Sequence, residues 1–571
     1  MRTNENEITP TLFLLDERAC ACQKSLVFLR QAYPNSALMT YDNTQARGAE
    51  HVLLAKFVMG IGEKEPQWLT YQECTEETTA DNIPGGLRGD VKPVAGQPFQ
   101  VFWYPMLSDG RSPVWEGGAI LHIHSETSQK FWLKFGNGNI AFMHFSPNEN
   151  MAGPQIDCAQ GNAVLEDDCV MIRRRERSVV TAVRGDFEQV WIESLPEASE
   201  GLGTYAVAAC TGTDIYVTAA FSEDPARARL LAGCDPVAEE ARVHQYYEDL
   251  LAHWQLDTPD PVLNEAFSHA LLNVEYAWLY PYGWIESLQH WPTMWHMEHT
   301  AAEEWNGRYE RVRCCLRSQM KNVFPNGAIP DMCPDGTGRR DWGGNNQFFF
   351  REVEHYVKMT GDIAFAAEAE PYLEKALQQT FAEYDPTGSG VIGWNTQIGN
   401  QEDFESTPGK GAATGIEGVR MLEIMSYIKN LLGKPEEADA YAARAAWCKK
   451  EWYDCLWLKD LSRPAWYEDI HGIRRLETTY HGIIYPILYN AIDDADKVSG
   501  LDHLRHRLTG PEGEIYQSNH FGDHAYETVP TWGMQCGSDM QPFATAAYAA
   551  CGMKLHAALH SCTTMNENGV Q

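Results

Sequence analysis

The sequence of 571 residues contains 79 acidic and 45 basic side chains, which gives a formal net charge of −34. Because nucleic acids and anionic membrane surfaces bind positively charged surfaces, this excess of acid argues against both as main partners. The length favours more than one domain, and the absence of a signal-peptide pattern near residue 1 leads us to expect a cytoplasmic location.

The first 235 residues alternate short runs of β-branched and aromatic residues with turn-forming residues, which is typical of an antiparallel β-sandwich. The predicted strands are 51–59, 99–104, 119–124, 130–135, 140–145, 178–183, 190–193 and 214–221. Residues 136–138 (GNG) lie between two of these runs and indicate a hairpin turn. Residues 1–235 are therefore predicted to form a β-sandwich domain.

From residue 236 the hydrophobic period becomes helical. Residues 236–258 are predicted to form a linker helix, and residues 259–571 a helical catalytic domain. The predicted helices are 237–254, 260–279, 295–323, 347–359, 363–384, 414–432, 436–456, 477–492, 494–508 and 540–558. Short turns alternate with long connections that are rich in glycine, tryptophan and acidic residues, and such long loops usually carry function. The alternation predicts a helical barrel with its site at one end.

The long connection 388–415 contains three acidic residues within four positions, Glu402, Asp403 and Glu405, downstream of Trp394. Aromatic neighbours can raise the pKa of one carboxyl group while another stays ionised, as a general acid for a glycosidic oxygen requires. The same residues also fit a solvated acidic loop that ends in a helix cap. Both interpretations stay open on the residues alone.

A second acidic and aromatic loop, 522–533, contains Glu527, with Asp523 and Asp539 as rivals nearby. Two carboxylates on separate loops, about 6.5–9.5 Å apart, are what inverting glycosidases need to place the attacking water.

Two further stretches, 328–345 and 291–299, combine acidic, basic and aromatic residues that could contact sugar hydroxyl groups and rings. The segment WPTMWHMEH at 291–299 matches no zinc-binding motif, so neither a metal nor another cofactor is expected. The predicted substrate-binding residues are Trp295, Glu298, Asp331, Asp335, Arg340, Trp342, Trp394, Gln401, Glu402 and Trp532.

This order of features resembles the six-hairpin (α/α)6 glycosidases, which include glucoamylases, trehalases, processing α-glucosidases and debranching glucosidases. Residues 401–408 (QEDFESTP) are similar to the Glu-Ser-Gly-Trp-Asp-Asn-Ser-Pro signature of the trehalase and processing-glucosidase group. Residues 326–331 (NGAIPD) are similar to its Asp-Gly-x-x-Pro-His loop. The resemblance implies an (α/α)6 toroid after the β-sandwich, and it places Glu405 at the general-acid position with Asp403 as its competitor.

The end of the chain departs from that family pattern. Residues 530–533 (PTWG) resemble the late Gly-Pro-x-Trp loop, but the family's catalytic base follows in further helical sequence. About ten helices are predicted where the family has twelve, so either the barrel is shortened, or the helix prediction is incomplete, or Glu527 serves as the base.

The expected function is an exo-acting, inverting glycoside hydrolase that uses Glu405 and Glu527 on a small carbohydrate substrate, with no nucleic-acid or membrane partner. The oligomeric state is not predicted. A phosphorylase would instead need a basic pocket, for which Arg339, Arg340 and Lys410 are candidates. A sugar epimerase or lyase on the same toroid would rely on His296, His299, His524 or Tyr526. A carbohydrate-binding protein without the second carboxylate is the non-catalytic alternative.

Overall fold

The computed structural model describes residues 28–32, 35–42, 50–69, 73–75, 77–107, 116–136, 161–174, 179–194, 203–279, 283–284, 296–332, 338–339, 345–393, 407–477, 479–508 and 546–552. Its contacts divide the chain into two compact units. The β unit comprises residues 1–292 with 333–336, and the helical unit comprises residues 293–332 with 337–571.

The β unit is built on one antiparallel sheet. Its described strands are β1 (Phe28–Ala32), β2 (Asn35–Asp42), β3 (Glu50–Ile61), β4 (Gln67–Trp68), β5 (Thr79–Ile83), β6 (Gly86–Val91), β7 (Phe99–Pro105), β8 (Gly117–Gly136), β9 (Gly161–Glu166), β10 (Cys169–Arg174), β11 (Val180–Gly185), β12 (Gln189–Ser194) and β13 (Thr204–Ser222). The small pair β14 (Trp278–Leu279) and β15 (Gly283–Trp284) also belongs to this unit.

The two longest strands, β8 and β13, connect the two halves of the sheet. They pair with each other in register on both sides of an irregularity between Gly212 and Asp214. One end of β8 pairs with β3 and the other end pairs with β7, while β13 pairs with β12 and β11. The sequence predicts two separate strands, 119–124 and 130–135, but β8 runs through both because β13 pairs with it on each side of the irregularity.

Large apolar side chains from both halves of the sheet form one core. Phe57 of β3 lies between Trp103 of β7 and Phe135 of β8, at ring-centroid distances of 5.3 and 5.4 Å. All three are at most 1% exposed. The predicted N-terminal antiparallel β domain is confirmed, as a sheet whose halves share a core.

Three of the described helices also belong to the β unit: α1 (Pro225–Ala232), α2 (Pro236–His253) and α3 (Pro261–Ala277). Each begins at an Asp-Pro pair, in which the aspartate side chain accepts a backbone N–H and proline occupies the first helical position. Contacts group α2 and α3 with the sheet, whereas the sequence predicts a catalytic domain from residue 259. The functional domain boundaries stay predictions.

The helical unit contains α4 (His296–Trp305), α5 (Tyr309–Lys321), α6 (Asn345–Thr360), α7 (Ile363–Tyr384), α8 (Ala412–Leu431), α9 (Pro435–Leu456), α10 (Tyr480–Leu488) and α11 (Asp494–Arg507). Two-residue strands form three pairs: β16 (Asp331–Met332) with β17 (Gly338–Arg339), β18 (Lys410–Gly411) with β21 (Tyr467–Glu468), and β19 (Trp457–Leu458) with β20 (Arg463–Pro464). None of the described helices is long and apolar enough to cross a membrane.

The prediction of one helix over 295–323 is wrong. The backbone of Gly307 is left-handed at φ +73°, and it separates α4 from α5. Gly307 N–H donates to the carbonyl of Glu304, and Arg308 N–H donates to that of Glu303, at 3.0 and 2.8 Å. This pair of bonds satisfies carbonyls at the end of α4, so the helix stops there. α10 is also shorter than the predicted helix 477–492.

Short and long connections alternate along the described helices, as the sequence predicts. Short ones join α4 to α5, α6 to α7, α8 to α9 and α10 to α11, whereas long ones precede α6, α8 and α10. The described helices therefore form consecutive antiparallel hairpins.

Candidate active site

The first helices of these hairpins form a row in which α4 contacts α6, α6 contacts α8, and α8 contacts α10. Glu354 contacts Arg420 and, further along, Lys358 lies over the ring of Tyr427, which joins α6 to α8 at two levels. Ala412 lies beside Gly482 and, further along, Arg420 lies over the ring of Tyr489, which joins α8 to α10 in the same way. Because these pairs advance along the helices in the same direction, α6, α8 and α10 run parallel. Their N-terminal ends, at which the long connections join, are therefore on the same side of the row.

Most of the predicted site residues lie outside the described residues: Glu405, Asp403, Glu527, Trp295, Asp335, Arg340, Trp342, Trp394, Gln401, Glu402 and Trp532. Only the backbone is described for two others. Glu298 lies in the first turn of α4, and Asp331 begins β16 opposite Arg339 of β17. The assignment of these residues to one site stays a prediction.

The described residues do define both ends of the loop 394–406, which contains Glu405. Gly393 and Gly409 approach so closely that a side-chain carbon on Gly393 would collide with the carbonyl oxygen of Gly409. Gly411 N–H donates to the carbonyl of Ile392 at 3.1 Å. The two ends of this acidic loop are therefore held together by backbone contacts.

A second anchor lies where β18 pairs with β21. Lys410 Nζ contacts a carboxylate oxygen of Glu468 at 3.1 Å, and Arg474 Nε contacts the other oxygen at 3.1 Å. Burial would raise the pKa of Glu468, but hydrogen bonds that include those from Lys410 and Arg474 lower it. The Glu468 carboxylate is therefore ionised and ties the chain after the acidic loop to the 457–477 connection.

Buried carboxyl groups lie between α4 and α6. Glu304 and Glu352 are each 1% exposed. Burial raises the pKa of both, and the nearby Glu304 charge raises that of Glu352 further, while a contact with His355 partly offsets the rise at Glu304. A buried carboxyl group that keeps its proton at neutral pH can donate a hydrogen bond.

A charged and aromatic cluster joins α6, α8 and α10. The Arg351 guanidinium lies 5.7 Å from the ring centroid of Tyr485 and 5.6 Å from that of Tyr489. Burial would lower the pKa of Arg351, but the two tyrosines and Glu417 raise it, so this guanidinium stays charged. Arg351, Glu417, Tyr489 and Gln347 also line a narrow gap that is too small to hold a water molecule. These contacts hold the three helices together.

Sequence reasoning missed Glu304, Arg351, Glu352 and Glu417. For Glu304, Glu352 and Glu417 the only signal is a charged residue at a position where the helical pattern requires burial, as at Glu352 in 348–357 (FFFREVEHYV). Periodicity alone assigns such a segment to an ordinary core helix, because it does not show which charged side chains face inward together.

No protein-family model matches this sequence, and no curated protein sequence matches it either. Solved structures do show similarity. A bacterial glucoamylase complexed with acarbose is similar at a TM-score of 0.62 and 11% identity, over 96% of this chain and 87% of that one. A protein from the human microbiome named as a kojibiose phosphorylase is similar at a TM-score of 0.57 and 10% identity, over 97% of this chain and 87% of that one.

These likenesses extend over nearly the whole chain, so the resemblance to the six-hairpin glycosidases is confirmed for the fold. At such low identity they concern the fold alone, because one fold can support many activities. Closure of the helices into an (α/α)6 toroid stays a prediction.

Proposed function

We propose that this protein is an exo-acting glycoside hydrolase that cleaves a glycosidic bond in a short oligosaccharide or glycoside with inversion. The observation that carries the proposal is that the long connections before α6, α8 and α10 attach to the same side of a parallel row of helices. Two of those connections, before α6 and before α8, contain most of the acidic and aromatic residues that the sequence singles out, including Glu405, whereas Glu527 follows α11. The fold likeness to a glucoamylase supports the same class of activity.

In the proposed reaction Glu405 donates its proton to the glycosidic oxygen, and the bond from that oxygen to the anomeric carbon breaks. Glu527 accepts a proton from a water molecule, whose oxygen attacks the anomeric carbon from the opposite face. Asp403 is the competing candidate for the acid. Trp295, Trp342, Trp394 and Trp532 would provide apolar faces for the sugar rings.

The remaining predicted binding residues would contact the substrate through hydrogen bonds. These residues are Glu298, Asp331, Asp335, Arg340, Gln401 and Glu402. The backbone contacts that hold the ends of the acidic loop support the role of Glu405, since an acid must stay within hydrogen-bond reach of the leaving oxygen.

Proton NMR of the purified protein with a panel of α- and β-linked disaccharides and aryl glycosides tests the proposal. We expect one substrate to be cleaved and the anomer of opposite configuration to appear first. Glu405→Gln should lower kcat by about 10²–10⁴-fold, the usual contribution of a general acid, while the sugar still binds. Asp403→Asn is the matched control and should retain more activity. Retention of configuration, or full activity of Glu405→Gln, would contradict the assignment.

Phosphorolysis is the second candidate, favoured by the fold likeness to the protein named as a kojibiose phosphorylase. It would use the same acid, with phosphate in place of the attacking water. Of the basic residues considered for a phosphate site, Lys410 already contacts Glu468, which leaves Arg339 and Arg340 as candidates. Phosphorus NMR in inorganic phosphate distinguishes the reactions, because only phosphorolysis yields a sugar phosphate. Sugar binding without any product would favour the carbohydrate-binding alternative.

A further inference from the structure

Two histidines of the β unit lie side by side on strand β8. His122 and His124 are separated by one residue, so both side chains are on the same face of the strand. In the register of β8 with β13, Asp214 lies directly opposite His124, and Tyr216 lies opposite His122. The sheet thereby brings together side chains about ninety residues apart in the sequence.

The polar atoms of this group converge. Asp214 Oδ1 lies 3.1 Å from His122 Nε2 and 2.7 Å from His124 Nδ1. One ligand atom from each of the three residues lies within 4.8 Å of the other two. In tetrahedral zinc sites with bonds of about 2.0–2.2 Å, ligand atoms are about 3.3 Å apart, so these side chains need to move only slightly to coordinate an ion.

The other ring nitrogen of His122, Nδ1, has a partner of its own. His122 Nδ1 lies 3.0 Å from Glu240 Oε1 of α2, and the ring stacks on Tyr216 at a centroid distance of 4.2 Å. A carboxylate on one ring nitrogen orients a histidine and directs the other nitrogen towards a metal, which is the usual support for histidine ligands. His122 is 12% exposed and Glu240 is 13% exposed, so this support is largely buried.

We propose that His122, His124 and Asp214 form a site for a divalent transition-metal ion of the zinc class. Two imidazole nitrogens and one carboxylate oxygen suit zinc. His124 and Asp214 are 40% and 46% exposed, which leaves a path for the ion and a position for a water ligand. The ion links β8 to β13 beside the irregularity at Gly212, and through Glu240 it links both strands to α2.

A second described cluster of possible metal ligands differs from the histidine cluster, because a lysine contacts it. Glu370, Glu374 and Glu437 also converge, but Lys429 Nζ contacts all three carboxylates. An ammonium group therefore occupies the centre of that cluster. In the histidine cluster, by contrast, the described contacts of the proposed ligand atoms are contacts with one another.

Cobalt binding to the full-length protein, after treatment with a chelator, tests the proposal. We expect the visible absorption of tetrahedral Co²⁺ with one nitrogen-rich site per chain, displaced by Zn²⁺. His124→Gln and Asp214→Asn should abolish this signal, and Glu240→Gln should weaken Zn²⁺ binding by about 10–100-fold, as expected for a supporting residue. His269→Ala, at an exposed histidine of α3, is the matched control and should bind as the original protein does.

Loss of the fold is excluded by far-ultraviolet circular dichroism of each variant. His124 and Asp214 are substituted first because both are partly exposed. Equal Co²⁺ spectra and Zn²⁺ affinity in His124→Gln and the original protein would overturn the proposal, as would absence of the tetrahedral signal. The result is independent of glycosidase activity, since it requires no substrate.

Discussion

Glu352 illustrates how burial changes the pKa of a single residue. Its carboxyl group is 1% exposed, and burial together with the nearby Glu304 charge raises its pKa well above the usual value. In the unfolded chain a glutamate has a pKa of about 4.3. The folded protein therefore binds a proton that the unfolded chain releases. The stability that this proton provides is complete below the unfolded pKa and is lost as the pH rises towards the folded pKa.

Replacement of Glu352 by glutamine should consequently become more favourable as the pH rises. The amide resembles the protonated acid and does not ionise, so the melting temperature of Glu352→Gln relative to the original protein should increase from about pH 4.5 to about pH 7.5. Thermal unfolding followed by circular dichroism measures this difference. A difference that stays constant with pH would show that Glu352 is not held in its protonated form.

Glu370 provides a control of opposite sign. Burial would raise the pKa of Glu370, but Lys429 and Lys434 lower it through hydrogen bonds. Its carboxylate contributes stability above the unfolded pKa, and that contribution is lost as the pH falls. Glu370→Gln should therefore be more destabilising at about pH 7.5 than at about pH 4.5.

At the scale of elements, the connection between α7 and α8 contains the acidic loop, and its ends depend on glycine. Gly409 has φ +101°, and a side-chain carbon there would collide with the carbonyl oxygen of Glu468. Gly433, between α8 and α9, has φ +72° with nothing within 4 Å of such a carbon. The two positions share a left-handed backbone and differ in the space around it.

Gly409→Ala should destabilise the protein by about 1–3 kcal/mol and lower the proposed glycosidase activity, because both the backbone strain and the collision displace the anchor of the loop. Gly433→Ala should cost about 1 kcal/mol, with activity unchanged. Urea unfolding and the NMR assay measure the two effects. Equal losses in both variants would indicate that backbone conformation alone matters at Gly409.

The elements also show where sequence patterns succeed. The Asp-Pro starts of α2 and α3 and the exact span of α7 follow from local signals, since capping and periodicity act over a few residues. The break at Gly307 was missed because the apolar period continues through it. Continuity of β8 was missed because β13, far away in the sequence, provides the pairing partner on both sides of the irregularity.

For the whole molecule the dominant feature is its net charge of −34. Like charges repel one another more in the compact state than in the expanded unfolded chain, and salt screens that repulsion over about 10 Å at 0.1 M. Raising sodium chloride from about 0.02 to about 0.3 M should raise the melting temperature measured by calorimetry. A fall would mean that salt weakens ion pairs, such as those of Lys429, more than it relieves repulsion.

The sequence by itself determined the succession of a β domain and helical hairpins, because strand alternation, helix caps and turn residues are local properties. It also singled out the acidic loops, whose composition is visible without a fold. Only the tertiary structure decided which helices run parallel in one row, and which charged groups, such as Glu304 and Glu352, are buried together. It also brought Asp214 opposite His124, because the register between distant strands depends on packing that no local pattern encodes.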